Sequence, residues 1–423
     1  MNRRRKYRAV SVKNVDLKSV EQLAEGRLTI GLDIAKAEVL AVVRDKTGEF
    51  LRPWKAKQIT EIAVLVDLFK AIAVERPVVF GMESTGTYGD CLRQAMTDAG
   101  LEVHRVSGKA KSDYEEIFDG VPSAHDGKDA AIIAELVATG KSQVWLHQPD
   151  SELYSQASIE VAWLDSQQDI YQIWLGRLEA LLARHWPEAT TVLKLSSVTL
   201  LKVLAHYGGP SKVAGDVAAV RRLQRWGGPY LQEEKIREFC LSAKMTVGVR
   251  MTDAEQRQMQ LYAEQALAAY REVQRSQSKL KKLCGESELL TALADVVGHG
   301  TACVLFVALG DPNQYHCAEA YRKAMGLNLK ERSSGRHQGK LKITKRGSSL
   351  ARRWLYFAAL RMTQKPGVAK WYAAKKEKEK NRGGCGVVAI MRKLALAIWH
   401  VAVHGVTFDT RRLFPGKPLT PGR

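Results

Sequence analysis

The sequence has no paired cysteines. Its six, Cys91, Cys240, Cys284, Cys303, Cys317 and Cys385, are scattered over 423 residues, and no two form a C-x-x-C pair. This argues against a zinc ribbon or a disulfide framework and fits a reducing compartment. Long apolar runs are missing too. The best, Ala302–Leu309, falls far short of the ~20 residues that a bilayer-spanning helix needs. The first residues, Met1-Asn2-Arg3-Arg4-Arg5-Lys6, lack the apolar stretch of a signal peptide. A cytoplasmic protein with no membrane partner is the expectation. Acidic residues are in deficit, 45 Asp and Glu against 65 Lys and Arg, for a formal charge of +20. A surplus of that size points to a polyanionic partner, because phosphate neutralisation needs Lys and Arg. On charge alone, a merely basic soluble protein is the plainer reading.

What is present falls into segments. Residues 1–26 form a basic leader. Strand patterns follow: Leu28, Ile30 and Leu32 alternate up to Asp33, Val39, Ala41 and Val43 make a second strand, and Gly48–Trp54 reads as a third. Residues 60–74 are helically periodic. Val78-Val79-Phe80-Gly81-Met82 is a buried strand ending at Glu83, then a helix from Tyr88 to Ala99 and a strand from Leu101 to Val106. A last helix runs from Asp126 to Ala138, with Ser123 as a candidate cap and Gly140 as stop. The order β-β-β-α-β-α-β-α matches a ribonuclease H-like, mixed α/β domain over 27–150. Residues 151–288 turn long, polar and helical, with Leu153, Ile159, Leu164, Ile170, Ile173, Leu178 and Leu182 as punctuation. Two such helices bracketing a helical insert suggest a coiled-coil arm or, equally, a plain bundle pair. A mostly helical, all-α C-terminal domain spans 289–410, and 411–423 is a flexible tail. Within it Val297-Gly298-His299-Gly300-Thr301 reads as a helix-hairpin-helix. His400 and His404 lack a Glu or Cys to complete a zinc set.

Four carboxylates stand out. Asp33 and Glu83 end two strands that become parallel neighbours in such a sheet, so both emerge at one edge. Asp126 and Asp129 are three apart on a helix and share a face. Ile133 and Leu136 continue that face, which places the acids on the buried side. Singly, each acid has a plainer role as a turn or helix-start residue. Together they would repel and raise one another's pKa unless cations intervene. Hard oxygen ligands suit Mg²⁺ or Mn²⁺, and two ions would serve phosphoryl transfer.

Gly31-Leu32-Asp33-Ile34-Ala35-Lys36, Met82-Glu83-Ser84-Thr85-Gly86 and the Asp126-x-x-Asp129-Ala130 helix resemble the DEDD transposases of one insertion-sequence group. That family also includes pilin-gene-invertase-like recombinases. Leu309-Gly310-Asp311-Pro312, Met325-Gly326-Leu327, Ser333-Ser334-Gly335 and Ile343-Thr344-Lys345-Arg346-Gly347 stand in the family's C-terminal order. The resemblance spans roughly residues 27–186 and 289–405. It implies a RuvC-like metal site of Asp33, Glu83, Asp126 and Asp129, paired with a serine that attacks DNA phosphate. Ser334 is the mapped nucleophile, Ser333 its close competitor, and Ser348 and Ser349 are remoter choices. Arg332, Arg336, Lys340, Lys342, Lys345 and Arg346 would hold phosphate. The resemblance further implies donor and target DNA, a structured bridge RNA, and a tetramer with shared active sites. As a prokaryotic recombinase it would be nucleoid-associated. The chain departs from the family in its hairpin, Val-Gly-His-Gly in place of Pro-Gly-Ile-Gly, and in the long insert.

RNA-guided site-specific recombination is thus the expected function. The competing readings are a RuvC-like nuclease that cuts DNA or a junction with activated water, and a non-enzymatic nucleic-acid-binding protein. A covalent protein–DNA adduct separates the first two, and metal-dependent cleavage separates both from the third.

Overall fold

A computed structural model describes residues 8–83, 86–120, 125–146, 151–331, 341–379 and 383–414. The chain divides into two compact units, Met1–Pro149 and Asp150–Arg423.

The first unit is built on seven strands: β1 Val10–Ser11, β2 Leu28–Ile34, β3 Glu38–Arg44, β4 Trp54–Lys57, β5 Val78–Glu83, β6 Val103–Val106 and β7 Ser142–Val144. Their order is β1-β4-β3-β2-β5-β6-β7. β2, β3 and β4 pair antiparallel, whereas β2–β5 and β5–β6 pair parallel. This is the ribonuclease H-like arrangement expected from the sequence. One face is covered by helices Ile62–Glu75 and Asp90–Asp98, whose Leu65, Phe69, Ile72, Leu92 and Met96 pack on Leu28, Ile30, Leu32 and Phe80. Each fully buried side chain of this kind contributes about 1.5–3 kcal/mol.

The other face carries helix Asp126–Ala138, and two glycines decide how closely it lies. Gly31 and Gly81 are direct register partners on β2 and β5. A Cβ on Gly31 would stand 1.9 Å from the Ala130 carbonyl oxygen, and one on Gly81 would stand 2.3 Å from Val137 Cγ2. The helix therefore rests directly on backbone. Side chains alternate along a strand, so Asp33 and Glu83, each two residues beyond its glycine, emerge on this same face.

Several boundaries differ from the sequence reading. The third strand is Trp54–Lys57 rather than Gly48–Trp54, because Asp45 Oδ1 accepts the amides of Thr47 and Glu49 and folds residues 45–49 into a turn. Phe50 pairs with Arg44 as an isolated bridge outside the strands. The described part of the leader is packed: Val10–Ser11 pairs with β4, and Val12 and Val20 join the core. His125 caps helix Asp126–Ala138, its ring accepting the Lys128 amide; Ser123 lies outside the described residues.

In the second unit, helices Glu152–His185 and Asp253–Gly285 pack along each other. Their buried positions, Ala157, Val161, Leu164, Tyr171, Leu175, Leu178 and Leu182 against Met259, Ala263, Ala266, Val273, Leu280 and Leu283, follow spacings of three, four and seven. That is a coiled-coil seam. Ile159, Ile170 and Ile173 face outward instead. Helices Val198–Tyr207, Ala219–Gly227 and Glu233–Lys244 pack on one end of the pair and build a core around Trp186, Leu204 and Phe239. The arm with its insert thus has a core of its own.

Beyond it, helices Glu288–Val297 and His299–Leu309 meet at Gly298, φ 87°, with a bend of 118°. This is the hairpin geometry expected at Val297–Thr301. Among the described residues, the helix that by length and composition could cross a membrane is not at the apolar run Ala302–Leu309 but at Gly384–His404. Its Val387, Ile390, Leu394, Ile398 and Val401 are buried in the core of this unit, and Arg392 and Lys393 interrupt it. All six cysteines are free thiols; Cys284 and Cys303 touch, 3.4 Å apart at sulfur.

Candidate metal centre

β2 and β5 deliver Asp33 and Glu83 to the helix-covered face, and the seating of Ala130 on Gly31 brings in its neighbour Asp129. One ammonium joins them. Lys111 Nζ lies 2.8 Å from Asp129 Oδ2, 3.3 Å from Glu83 Oε2 and 3.9 Å from Asp33 Oδ1. All four side chains are between 13% and 19% exposed, so these charges interact through a medium much less polar than water. Lys111 sits on helix Gly108–Asp119. That helix starts hard against Glu83: a Cβ on Gly108 would fall 2.2 Å from Glu83 Oε1. A carboxylate at a helix N-terminus is favoured by the unsatisfied amides there.

The charge balance is incomplete. Burial drives the Asp33 pKa from 3.8 to about 6; Lys111 opposes that rise, while Asp129, Asp126 and Glu83 add to it. Burial pulls the Lys111 ammonium down, but its hydrogen bond to Asp129 and the charges of Asp129, Asp33 and Glu83 outweigh it and hold it above its ordinary value. Asp129 Oδ1 is sequestered from solvent without any hydrogen-bond partner. Three carboxylates on one ammonium, with one acid driven toward neutrality and one buried oxygen unpartnered, fit a site short of positive charge. The donors are all carboxylate oxygens, the set that suits Mg²⁺ or Mn²⁺. Among the described residues no His, Cys, Asp or Glu trio forms a preformed ligand shell; the acids gather on Lys111 instead.

Asp126 stands apart. It is the first residue of its helix and is exposed, although its charge reaches Asp33. The sequence reading put it on the buried side with Asp129; the broad contact of this helix with the sheet buries Lys128 and Ala130 and leaves Asp126 outside. Lys128 is fully buried and bonded to Asp119 at 2.7 Å, which ties the Lys111-bearing helix to the acid-bearing one. Arg44 fastens the same helix to β3 through Glu135 at 2.6 Å. Lys111, Gly108 and the Lys128–Asp119 pair escaped the sequence reading. The signal within reach was the repeated Gly-x-acid pattern at Gly31–Asp33 and Gly81–Glu83.

In the second unit, β8 Leu329–Lys330 and β9 Lys342–Ile343 pair antiparallel. Ser333 and Ser334 lie between them, with Arg332, Arg336 and Lys340, and all five fall outside the described residues. Lys342, Lys345 and Arg346 are exposed. The base of this strand pair is closed by Thr344 N to Asn328 O at 2.7 Å and Lys345 N to Gly326 O at 2.9 Å. Ser348 is a helix cap, its Oγ accepting the Ala351 amide at 3.2 Å. His400 and His404 stack on one another on an exposed helix face.

Comparison with known families bears on both units. A DEDD transposase model matches residues 30–163, and the transposase model of the IS116/IS110/IS902 family matches residues 291–374. Together they span about half of the chain, in the order the motifs required. The chain belongs to the IS116/IS110/IS902 transposase family. Both matches of this transposase fall within the segments where its motifs were recognised, and neither includes the insert. No curated protein matches the sequence. Among solved structures, the chain is similar to Thermus thermophilus RuvC in complex with a Holliday junction substrate, at 12% identity over 28% of this chain and 99% of that one, TM-score 0.23. A second structure of the same protein gives 12% identity over the same shares and 0.22. The ribonuclease H-like assignment rests on strand order and register rather than on these scores.

Proposed function

We propose that this transposase is a metal-dependent DNA recombinase in which Asp33, Glu83, Asp129 and Asp126 hold divalent cations and Ser334 is the nucleophile. The observation that carries the metal assignment is the gathering of three half-buried carboxylates on Lys111, with Asp33 raised to about 6 and Asp129 Oδ1 unpartnered. Bound Mg²⁺ or Mn²⁺, as a pair in the sense that two-ion sites serve phosphoryl transfer, would supply positive charge at the reacting phosphate. The chain's own groups do the rest. The serine oxygen forms a new P–O bond to the scissile phosphodiester as a DNA hydroxyl leaves with the serine proton's equivalent. A second DNA hydroxyl later attacks the phosphoserine, restores the DNA ester and returns the serine. Carboxylate site and serine must meet at one phosphate, from one chain or from two.

The family and the +20 charge support donor and target DNA as substrates and a structured bridge RNA as guide. A tetramer, the 27–150, 151–288 and 289–410 domain division, and residence at the nucleoid belong to the same reading. Asp33→Asn tests it: strand cleavage in Mg²⁺ should vanish while DNA binding persists. Cleavage at the wild-type rate would remove Asp33 from the site. RNA copurifying with the protein should fold into a structure with loops complementary to donor and target; protein that retains no such RNA contradicts the guided mechanism.

A further inference from the structure

Four arginines in the region 318–404 are half-buried among the described residues: Arg322, Arg352, Arg353 and Arg392. Two are accounted for. Arg352 donates to the carbonyl oxygens of Met325, Gly347 and Ser348, and Arg353 pairs with Asp165 and Asp169. Arg322 and Arg392 differ. Neither has a hydrogen-bond or ion-pair partner among the described residues, and Arg322 Nε and Arg392 Nη1 are both sequestered from solvent. They are also neighbours. Helix Ala318–Ala324 carries Arg322 and packs against helix Gly383–His404, which carries Arg392. Burial holds the Arg392 guanidinium below its ordinary range, and the nearby charge of Arg322 lowers it further.

Two like charges partly withdrawn from water, each with a donor left unpaired, are costly to a fold. An anion that accepts from the exposed nitrogens of both guanidiniums offsets the repulsion between them. A phosphate group serves two guanidiniums better than a single carboxylate, because its oxygens spread over a tetrahedron and arginine recognises them two at a time. The position is informative as well. The Arg322 carbonyl accepts the Leu327 amide within the turn that leads into β8, the strand from which the chain runs on to Ser334.

We propose that Arg322 and Arg392 form a binding site for one backbone phosphodiester of DNA. The choice of DNA rests on the reading of Ser334 as nucleophile; the anion site itself does not.

The test uses the full-length protein, without Mg²⁺, and a fluorescein-labelled DNA duplex followed by anisotropy over a range of salt. The double variant Arg322→Gln, Arg392→Gln should weaken binding roughly tenfold. It should also lower the slope of log K against log salt by about 0.9, the loss of one duplex phosphate contact. In the same protein without nucleic acid, Arg392→Gln should raise Tm, because it relieves the repulsion between two half-buried, unpaired charges. The change in slope should persist in a Ser334→Ala background, which separates this site from the fate of the nucleophile assignment. An unchanged slope overturns the proposal. So does a fall in Tm, which would make the arginines structural, and so does a loss confined to a structured RNA probe.

Discussion

Lys111 offers the sharpest perturbation, because it is the cation around which the acidic site is arranged. Lys111→Met keeps the stem and removes the charge. The ammonium lies 2.8, 3.3 and 3.9 Å from three carboxylates that are at most 19% exposed. Removing one partner from a buried ionic cluster costs about 3–5 kcal/mol, and the residual solvent access here points to the lower end, about 3 kcal/mol. For a unit of this size that is a fall of roughly 6–12 °C in the transition of the N-terminal unit. Differential scanning calorimetry in chelator at neutral pH reads it directly. Added Mg²⁺ should then stabilise the variant more than the wild type, since the metal no longer competes with an ammonium for the same oxygens. A variant as stable as the wild type in chelator would refute the reasoning. So would a Mg²⁺ increment no larger than that of the wild type.

Three further outcomes follow from the same geometry. The folded Asp33 pKa of about 6 lies above its unfolded 3.8, so the folded protein holds this proton more firmly and stability falls as pH rises between those values. The full penalty, above pH 6, is at most about 3 kcal/mol. Asp33→Asn in chelator should therefore melt higher than the wild type at pH 8, match it near pH 4, and lose the Mg²⁺ response; a lower Tm at pH 8 contradicts the shift. Gly31→Ala should cost at least about 1–3 kcal/mol and weaken Mg²⁺ binding, because its Cβ meets the Ala130 carbonyl at 1.9 Å. Gly81→Ala, whose close contacts are side chains of Val137 and Ile133, should be milder in calorimetry; the reverse ranking would show that the helix does not take its position from Gly31.

Much of the acidic site could be read from the sequence because Asp33 and Glu83 end period-two strands, and strand ends are where a sheet delivers side chains to an edge. The i, i+3 spacing of Asp126 and Asp129 was read correctly as one helix, but it does not say which of the two meets the sheet. That depends on Gly31 and Gly81, whose role is steric. Lys111 was illegible because its helix, Gly108–Asp119, fully buries no residue; only the half-buried Ala110, Tyr114 and Phe118 pack inward, an apolar period too faint to mark a helix. The coiled-coil seam was obscured for the opposite reason: alanines and a tyrosine fill it, while Ile159, Ile170 and Ile173 point outward. The apolar helix Gly384–His404 was missed because two basic residues, Arg392 and Lys393, split its run.

The central claim is that a serine and a carboxylate metal site act on one DNA phosphate. Denaturing the Mg²⁺-supplemented protein during reaction with donor and target DNA, then mapping any DNA-linked peptide by mass spectrometry, tests it most directly. The account predicts a phosphoserine link at Ser334, absent from Ser334→Ala and from Asp33→Asn. A link at Ser333 would move the nucleophile by one residue, and DNA cleavage by the wild type with no covalent link would contradict the serine mechanism in favour of water activated at the metal site.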